Sequence, residues 1–324
     1  MRSIPEYTEA FVSYLDARVT VKKPENLYAP IAYILQLGGK RLRPVLTLMA
    51  TEIFDTDYHK ALDAALAIEV FHNFSLVHDD IMDAAPLRRG KKTVHENWDV
   101  NTGILSGDAM LIQAYQLFEN YEGETFRALA QLFSKTAIEV CEGQQYDVDF
   151  ETREDVTIAE YLKMIEYKTA VLVGAALKMG AIVADAPKTS CEAIYNFGRD
   201  LGIAFQLQDD YLDAFGDPRT FGKQVGGDII ENKKTFLYLT ALKALPVKDA
   251  RQLEHLYTIS PGNPIDKINT VKTFFIDSGA AEATRQEIEN YTNRALSVLD
   301  ELPLKAEKKN ILKDFGLKLM QRTA

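Results

Sequence analysis

Two short acidic clusters on one spacing are the residues of this 324-residue chain best suited to chemistry. Asp79-Asp80-Ile81-Met82-Asp83 and Asp209-Asp210-Tyr211-Leu212-Asp213 each end a long apolar run of helical periodicity. In a helix, residues i and i+4 share a face, so Asp79 and Asp83 form one carboxylate pair and Asp209 and Asp213 another. Like charges so placed repel one another unless cations intervene. Hard carboxylate oxygens with no softer donor nearby point to magnesium, which keeps several waters and takes one or two carboxylates together with substrate phosphates. A solvated acidic helix end would explain one such cluster. Two of them, each following an apolar helix, favour facing sites with a phosphate held between. A calcium EF-hand does not fit, because the residues after Asp79 lack the central Gly and terminal Glu of that loop.

Cations follow the carboxylates. Ala84-Ala85-Pro86-Leu87-Arg88-Arg89-Gly90 stops the helix at Pro86 and places two guanidinium groups just beyond it, and Arg suits bidentate contact with phosphate. Gly38-Gly39-Lys40-Arg41-Leu42-Arg43-Pro44 puts a second basic cluster on a turn. Lys168-Thr169, Lys223 and Lys233-Lys234 add cations that ordinary surface charge would also explain. Glu69-x-x-His72 reads as half of a helical di-iron site, which needs a second copy. None of His59, His78, His95 and His255 has Glu three residues before it, so that reading fails.

The elements that must position these groups are helices. Strict alternation of β-branched residues is sustained nowhere, whereas apolar residues recur at three and four, as in Phe11, Tyr14, Leu15 and Val19. Pro and Gly punctuation separates about a dozen helices. The spans 59–84, 157–184 and 188–215 are long and apolar on more than one face, as central helices must be. No linker tract, charge block or solenoid repeat divides the chain, so one domain over 1–324 is expected. A net charge of −10 argues against general nucleic-acid binding. Two cysteines, Cys141 and Cys191, make neither a disulfide framework nor a zinc site. With an N-terminus that turns acidic at once and lacks a signal-like apolar stretch, they lead us to expect a cytoplasmic protein. No membrane span is expected either, since Lys178 interrupts the most apolar segment.

The first basic cluster, then His72-Asn73-Phe74-Ser75-Leu76-Val77-His78 leading into Asp79–Asp83 with Arg88-Arg89-Gly90, then Phe205-Gln206-Leu207-Gln208 leading into Asp209–Asp213, closely resemble the motifs of the trans-isoprenyl diphosphate synthases, in that family's order. Gly107-Asp108, Lys168-Thr169 and Gly222-Lys223 match its smaller motifs. The resemblance implies an all-α fold, a bundle of mostly antiparallel helices around a deep central cavity, usually a homodimer. It implies head-to-tail condensation of isopentenyl diphosphate with an allylic diphosphate, whether dimethylallyl, geranyl or farnesyl. Asp79, Asp83 and Asp209 would be direct ligands of three magnesium ions bridging to the allylic diphosphate, with Asp80, Asp210 and Asp213 as further or water-mediated ligands. Arg88, Lys168, Lys223 and Lys233 would hold that diphosphate; Lys40, Arg43, His72 and Arg89 would hold isopentenyl diphosphate; Thr169 and Gln206 would flank the forming cation. The family often has a single Lys after Glu-Gly where this chain has Glu231-Asn232-Lys233-Lys234-Thr235, and the spacing to Thr235 favours Lys233. A class I terpene cyclase typically carries Asn and Ser and ends in Glu in its second motif, and a non-catalytic partner subunit would have lost an acidic cluster; neither describes this chain.

Product length follows from the helix before Asp79. Ser75, Phe74 and Phe71 lie one and two turns back and would line or floor the path of the growing tail. One Phe followed by a small hydroxyl residue resembles the archaeal type of geranylgeranyl diphosphate synthase, so a twenty-carbon product is expected. Farnesyl diphosphate is the alternative product, and a stretch near Met110 to Ala114 the alternative floor.

Overall fold

Helix α1 (Ile4–Arg18) starts where Ser3 and Glu6 satisfy each other, the Glu6 carboxylate accepting from the Ser3 N–H and hydroxyl, both at 2.7 Å. Tyr7, Phe11 and Leu15 then recur at intervals of four and are buried. The same periodicity holds through the computed structural model, which describes residues 1–217 and 225–320 and is all-α apart from one two-residue ladder. The chain forms two compact units.

The first unit comprises residues 1–135 and 175–192. It contains α1, α2 (Glu25–Gln36), α3 (Leu42–Ile53), α4 (Leu62–Met82), β1 (Leu87–Arg88), β2 (Lys91–Lys92), α5 (Val94–Asn97), α6 (Val100–Gln116) and the start of α7 (Gly123–Thr152). Helix α4 is its centre, with Ala64, Leu66, Ile68, Val70 and Phe71 all buried although they point in several directions. It packs chiefly on α6 and α3. The approach to α6 depends on Gly107, where a Cβ would lie 2.2 Å from His78 Nε2. On α3, Thr47 and Thr51 donate to the carbonyls of Ala176 and Gly180 at 2.9 and 3.1 Å.

The second unit takes the described part of residues 136–174 and 193–324. It holds the rest of α7, then α8 (Ile158–Ile165), a wide π turn at Glu166–Ala170, the start of α9 (Val171–Val183) and most of α10 (Lys188–Phe215). After these come α11 (Gly227–Ile230), α12 (Phe236–Ala244), α13 (Val247–Leu256), α14 (Ile265–Asp277), α15 (Ala280–Glu301) and α16 (Ala306–Met320). Tyr161, Leu207, Phe236, Val271 and Phe275 lie in its core.

Two features depart from the expected helices. The span 157–184 is interrupted by the π turn, because Gly143 and Gly202 bring neighbouring backbone against it; a Cβ on Gly143 would lie 2.2 Å from Lys168 N. The Arg-rich stretch after α4 folds back as the β1–β2 hairpin, with Arg89 at φ 53° and Gly90 at φ 74°, the left-handed pair a two-residue hairpin turn favours. Among the described residues no helix is long and apolar enough to cross a membrane.

Candidate active site

The first acidic cluster sits on the last turn of α4, with Asp83 as C-cap and its N–H donating to the Asp79 carbonyl at 2.9 Å. Helical geometry therefore persists to Asp83, and Asp79 and Asp83 share a face. The location is electrostatically unfavourable for acids, because the C-terminal end of a helix carries partial negative charge. Arg88, carried over by the hairpin, answers part of it. Its Nε donates to both Asp80 oxygens at 2.8 Å, and its Nη2 lies 2.7 Å from Asp80 Oδ1 and 3.6 Å from Asp79 Oδ2. Asp80, which the resemblance puts among the metal ligands, is thus 1% exposed and committed to Arg88. Burial raises its pKa against the pull of that guanidinium.

Four arginines gather in the same unit. Arg41 has a left-handed backbone and is buried, its guanidinium paired with Glu69 and with the Leu35 carbonyl. Glu69 also accepts from Asn73 Nδ2 at 3.1 Å, so it serves this buried pair and not His72. His72 Nε2 instead lies 3.2 Å from Arg43 Nη1. Burial first, then Arg43, Arg89, Arg88 and Arg41, hold the His72 pKa well below the usual histidine value. A neutral imidazole accepts from Arg43, while Arg43 Nε is a buried donor without a protein acceptor. Arg89 donates to the Gly38 carbonyl and packs so closely on Gly39 that a Cβ there would come 2.9 Å from its Cζ. Lys40 is exposed on the same loop. This loop, His72 and the hairpin together make a setting for an anion.

In the second unit Thr169, Gln206 and Asp210 are joined in one chain. Thr169 Oγ1 donates to Gln206 Oε1 at 3.3 Å, Gln206 Nε2 donates to Asp210 Oδ1 at 2.9 Å, and the Tyr161 hydroxyl donates to Asp210 Oδ2. Desolvation, with Asp209 adjacent, raises the Asp210 pKa. The π turn presents Lys168, whose Nζ lies 2.5 Å from Asp147 Oδ2 on α7. Asp213 Oδ2 accepts from the Asp228 N–H at 3.0 Å, at the start of α11, where Gly226 has φ 85°. Lys233 Nζ reaches Glu231 at 3.0 Å and Asp228 at 4.0 Å. Lys234 Nζ donates to the carbonyls of Phe150 and Glu151 at the end of α7, a structural role. Lys223 lies outside the described residues. Sequence reading missed Asp147 and Asp228, each a single acid in an acidic chain; only the pairing across elements distinguishes them.

The fit to a hard cation rests on the carboxylate pairs. Among the described residues no three His, Cys, Asp or Glu side chains form a closed metal cage. All-oxygen donors in pairs, at helix ends whose dipole repels them, suit an ion that leaves its other positions to water and phosphate.

Phe71 and Phe74 belong to a larger aromatic cluster in the first unit. Their centroids are 5.4 Å apart, and Phe133 on α7 meets Phe71 at 5.1 Å, Phe118 at 5.2 Å and Tyr115 at 4.7 Å. Phe74 also meets the His78 ring at 4.8 Å. Ser75 uses its hydroxyl on the His72 carbonyl at 2.8 Å. Met110 and Ala114 are fully buried. Phe133, the hub of the cluster, carried no signal in the sequence beyond one more apolar position.

Residues 24–273 match the family model for polyprenyl synthetase. The chain is 42% identical over 231 residues to a geranylgeranyl diphosphate synthase of Methanosarcina mazei, covering 71% of each chain. It is 36% identical over 339 aligned residues to a geranylfarnesyl diphosphate synthase of Natronomonas pharaonis, covering 99% of this chain and 97% of that one. A crystal structure of a geranylgeranyl pyrophosphate synthase superposes with a TM-score of 0.96 at 55% identity, each chain covered in full. With a family model matching most of its length and a relative aligned across nearly all of it, the chain belongs to the polyprenyl synthetase family.

Proposed function

We propose that this polyprenyl synthetase joins isopentenyl diphosphate head-to-tail to an allylic diphosphate and makes geranylgeranyl diphosphate as its main product. The observation that carries this reading is the pair of acidic clusters, each near the C-terminal end of a long helix and each accompanied by its own cations. The difficult step is cleavage of a carbon–oxygen bond, so negative charge growing on the departing diphosphate must be stabilised. Divalent ions, read as magnesium on the Asp79–Asp83 pair and on the Asp209–Asp213 pair, would neutralise that charge when bound. Arg88, fixed by Asp80, and Lys168, fixed by Asp147, meet the same charge without having to reorganise. Arg43, His72, Arg89 and Lys40 are assigned to the isopentenyl diphosphate, with the buried Arg43 Nε offering an unused donor. Thr169 and Gln206, held by each other and by Asp210, are assigned to the flank of the forming cation. As the family resemblance implies, the released diphosphate would take the proton that ends the cycle.

The whole chain is read as one catalytic domain, supported by a family match that runs through residues of both units. Phe74 above Phe71 and Phe133 supports the twenty-carbon length. The test is purified protein with magnesium, labelled isopentenyl diphosphate and each allylic primer in turn, followed by chromatography of the dephosphorylated products. Geranylgeraniol as the main alcohol is expected. Farnesol or a twenty-five-carbon alcohol would revise the length, and no elongation with any primer would overturn the reading.

A further inference from the structure

A cavity of about 360 Å³ opens on the first unit, lined from the stretch after α1 and from α2, α4 and α6. That volume lies within the ~300–1,000 Å³ typical of small-molecule sites. Its wall is aliphatic, with Ile31, Leu35, Leu66 and Val70 each no more than 5% exposed. Two cations line it as well, Lys22 and Arg18, and no Asp or Glu is among its lining residues. Lys22 Nζ lies 4.6 Å from the centroid of Tyr28, itself part of the lining. Arg18 lies over the Tyr14 ring and forms a long ion pair with Asp63 at 3.8 Å, outside the lining, with its side chain half exposed. Val70 is nine residues before Asp79, so at about 100° per residue it points to the opposite side of α4. None of the residues assigned to the reaction lines this cavity.

We propose that this cavity is a second binding site, for a single-chain amphiphile with an anionic head. The aliphatic wall takes the tail, and Lys22 and Arg18 take the phosphate or carboxylate. Burying apolar tail surface is favourable at about 25 cal/mol per Å², and two cations in a lining without a carboxylate select a charged head over an alcohol. A prenyl diphosphate and an alkyl phosphate share this chemistry, and the inference holds whichever is the natural source.

The test is calorimetric titration of the full chain in excess chelator and saturating inorganic diphosphate, which together remove the metal ions assigned to the carboxylate pairs and occupy the basic cluster assigned to isopentenyl diphosphate. Dodecyl phosphate, geranylgeranyl diphosphate and geranylgeraniol are titrated separately. One metal-independent site per chain is expected for at least one phosphorylated probe, with the alcohol at least tenfold weaker. Binding of geranylgeranyl diphosphate alone would identify the isoprenoid as the source; binding of dodecyl phosphate alone would identify another lipid. The double variant Arg18→Glu/Lys22→Glu changes exposed side chains, and Ala32→Leu fills the cavity from α2. Each should weaken the metal-independent site at least tenfold and leave prenyl-transfer kcat and KM unchanged. Affinity unchanged in both variants, equal affinity for the alcohol, or binding only with metal present would overturn the proposal. The titration uses no turnover, so a failure of prenyl transfer would count against the proposed function and not against this site.

Discussion

Asp79 and Asp83 stand where the end of α4 already presents negative charge, and Asp209 and Asp213 stand near the end of α10. Such side chains are poorly placed for stability and well placed for binding cations. Asp79→Ala is expected to lower turnover by about 10²–10³-fold, the scale of losing one preorganised charge-stabilising group. Far-UV circular dichroism of that variant should match the parent; a loss of helix would mean that the carboxylate is structural. His72 gives a prediction in pH. Its folded pKa is depressed by burial and by four arginines, whereas an unfolded histidine takes a proton near pH 6.5. The unfolded state therefore binds the extra proton, and stability, complete above pH 6.5, falls as pH drops below it. Thermal melts of His72→Gln between pH 5 and 8 should show a shallower acid slope; a slope equal to the parent's would locate the sensitivity elsewhere. The carboxylate pairs were legible in the sequence because helical spacing alone puts i and i+4 together. The partners that orient the cations were not, since no spacing rule pairs Asp80 with Arg88 across the hairpin, and Asp147 lies 21 residues from Lys168.

At the scale of elements, α4 carries the acids at one end and the aromatic cluster two turns below. Phe74→Ala should shift the main product to longer chains, because truncating the ring opens space beneath Ser75 that a further prenyl unit can fill. Removing a buried aromatic costs about 3–5 kcal/mol, so products are to be compared well below the variant's melting temperature. An unchanged chromatogram would move the floor to Phe133 or to Met110 and Ala114. The long spans 59–84 and 188–215 were readable from periodicity and punctuation, and the structure differs there by a few residues at the ends. The π turn was not readable, because it arises from the approach of Gly143 and Gly202, and apolar periodicity runs on either side of it.

At the scale of the whole molecule, α6 leaves Val100, Ile104, Leu105 and Ile112 between 40% and 60% exposed. These recur at helical intervals along one stripe, which supports the proposal that a second copy covers it. Sedimentation should give a dimer for the parent and a monomer for Leu105→Glu/Ile112→Glu; a monomeric parent at assay concentration would refute the proposal. The all-helical class was legible because long apolar periods admit few alternatives, whereas the small hairpin depends on the left-handed conformations of two residues. The π turn carries a consequence for heredity. A wide turn holds one codon more than an unbroken helix needs, so deleting any one codon from 166–170 lets the helix close with α9 still in phase, and displaces Lys168 from Asp147 and Thr169 from Gln206. In a pooled library of single-codon deletions under selection for prenyl transfer, losses at 166–170 should fall to background while losses from the loop at 153–157 persist. The length of this turn is thus as tightly constrained as the Lys168 and Thr169 side chains that it carries.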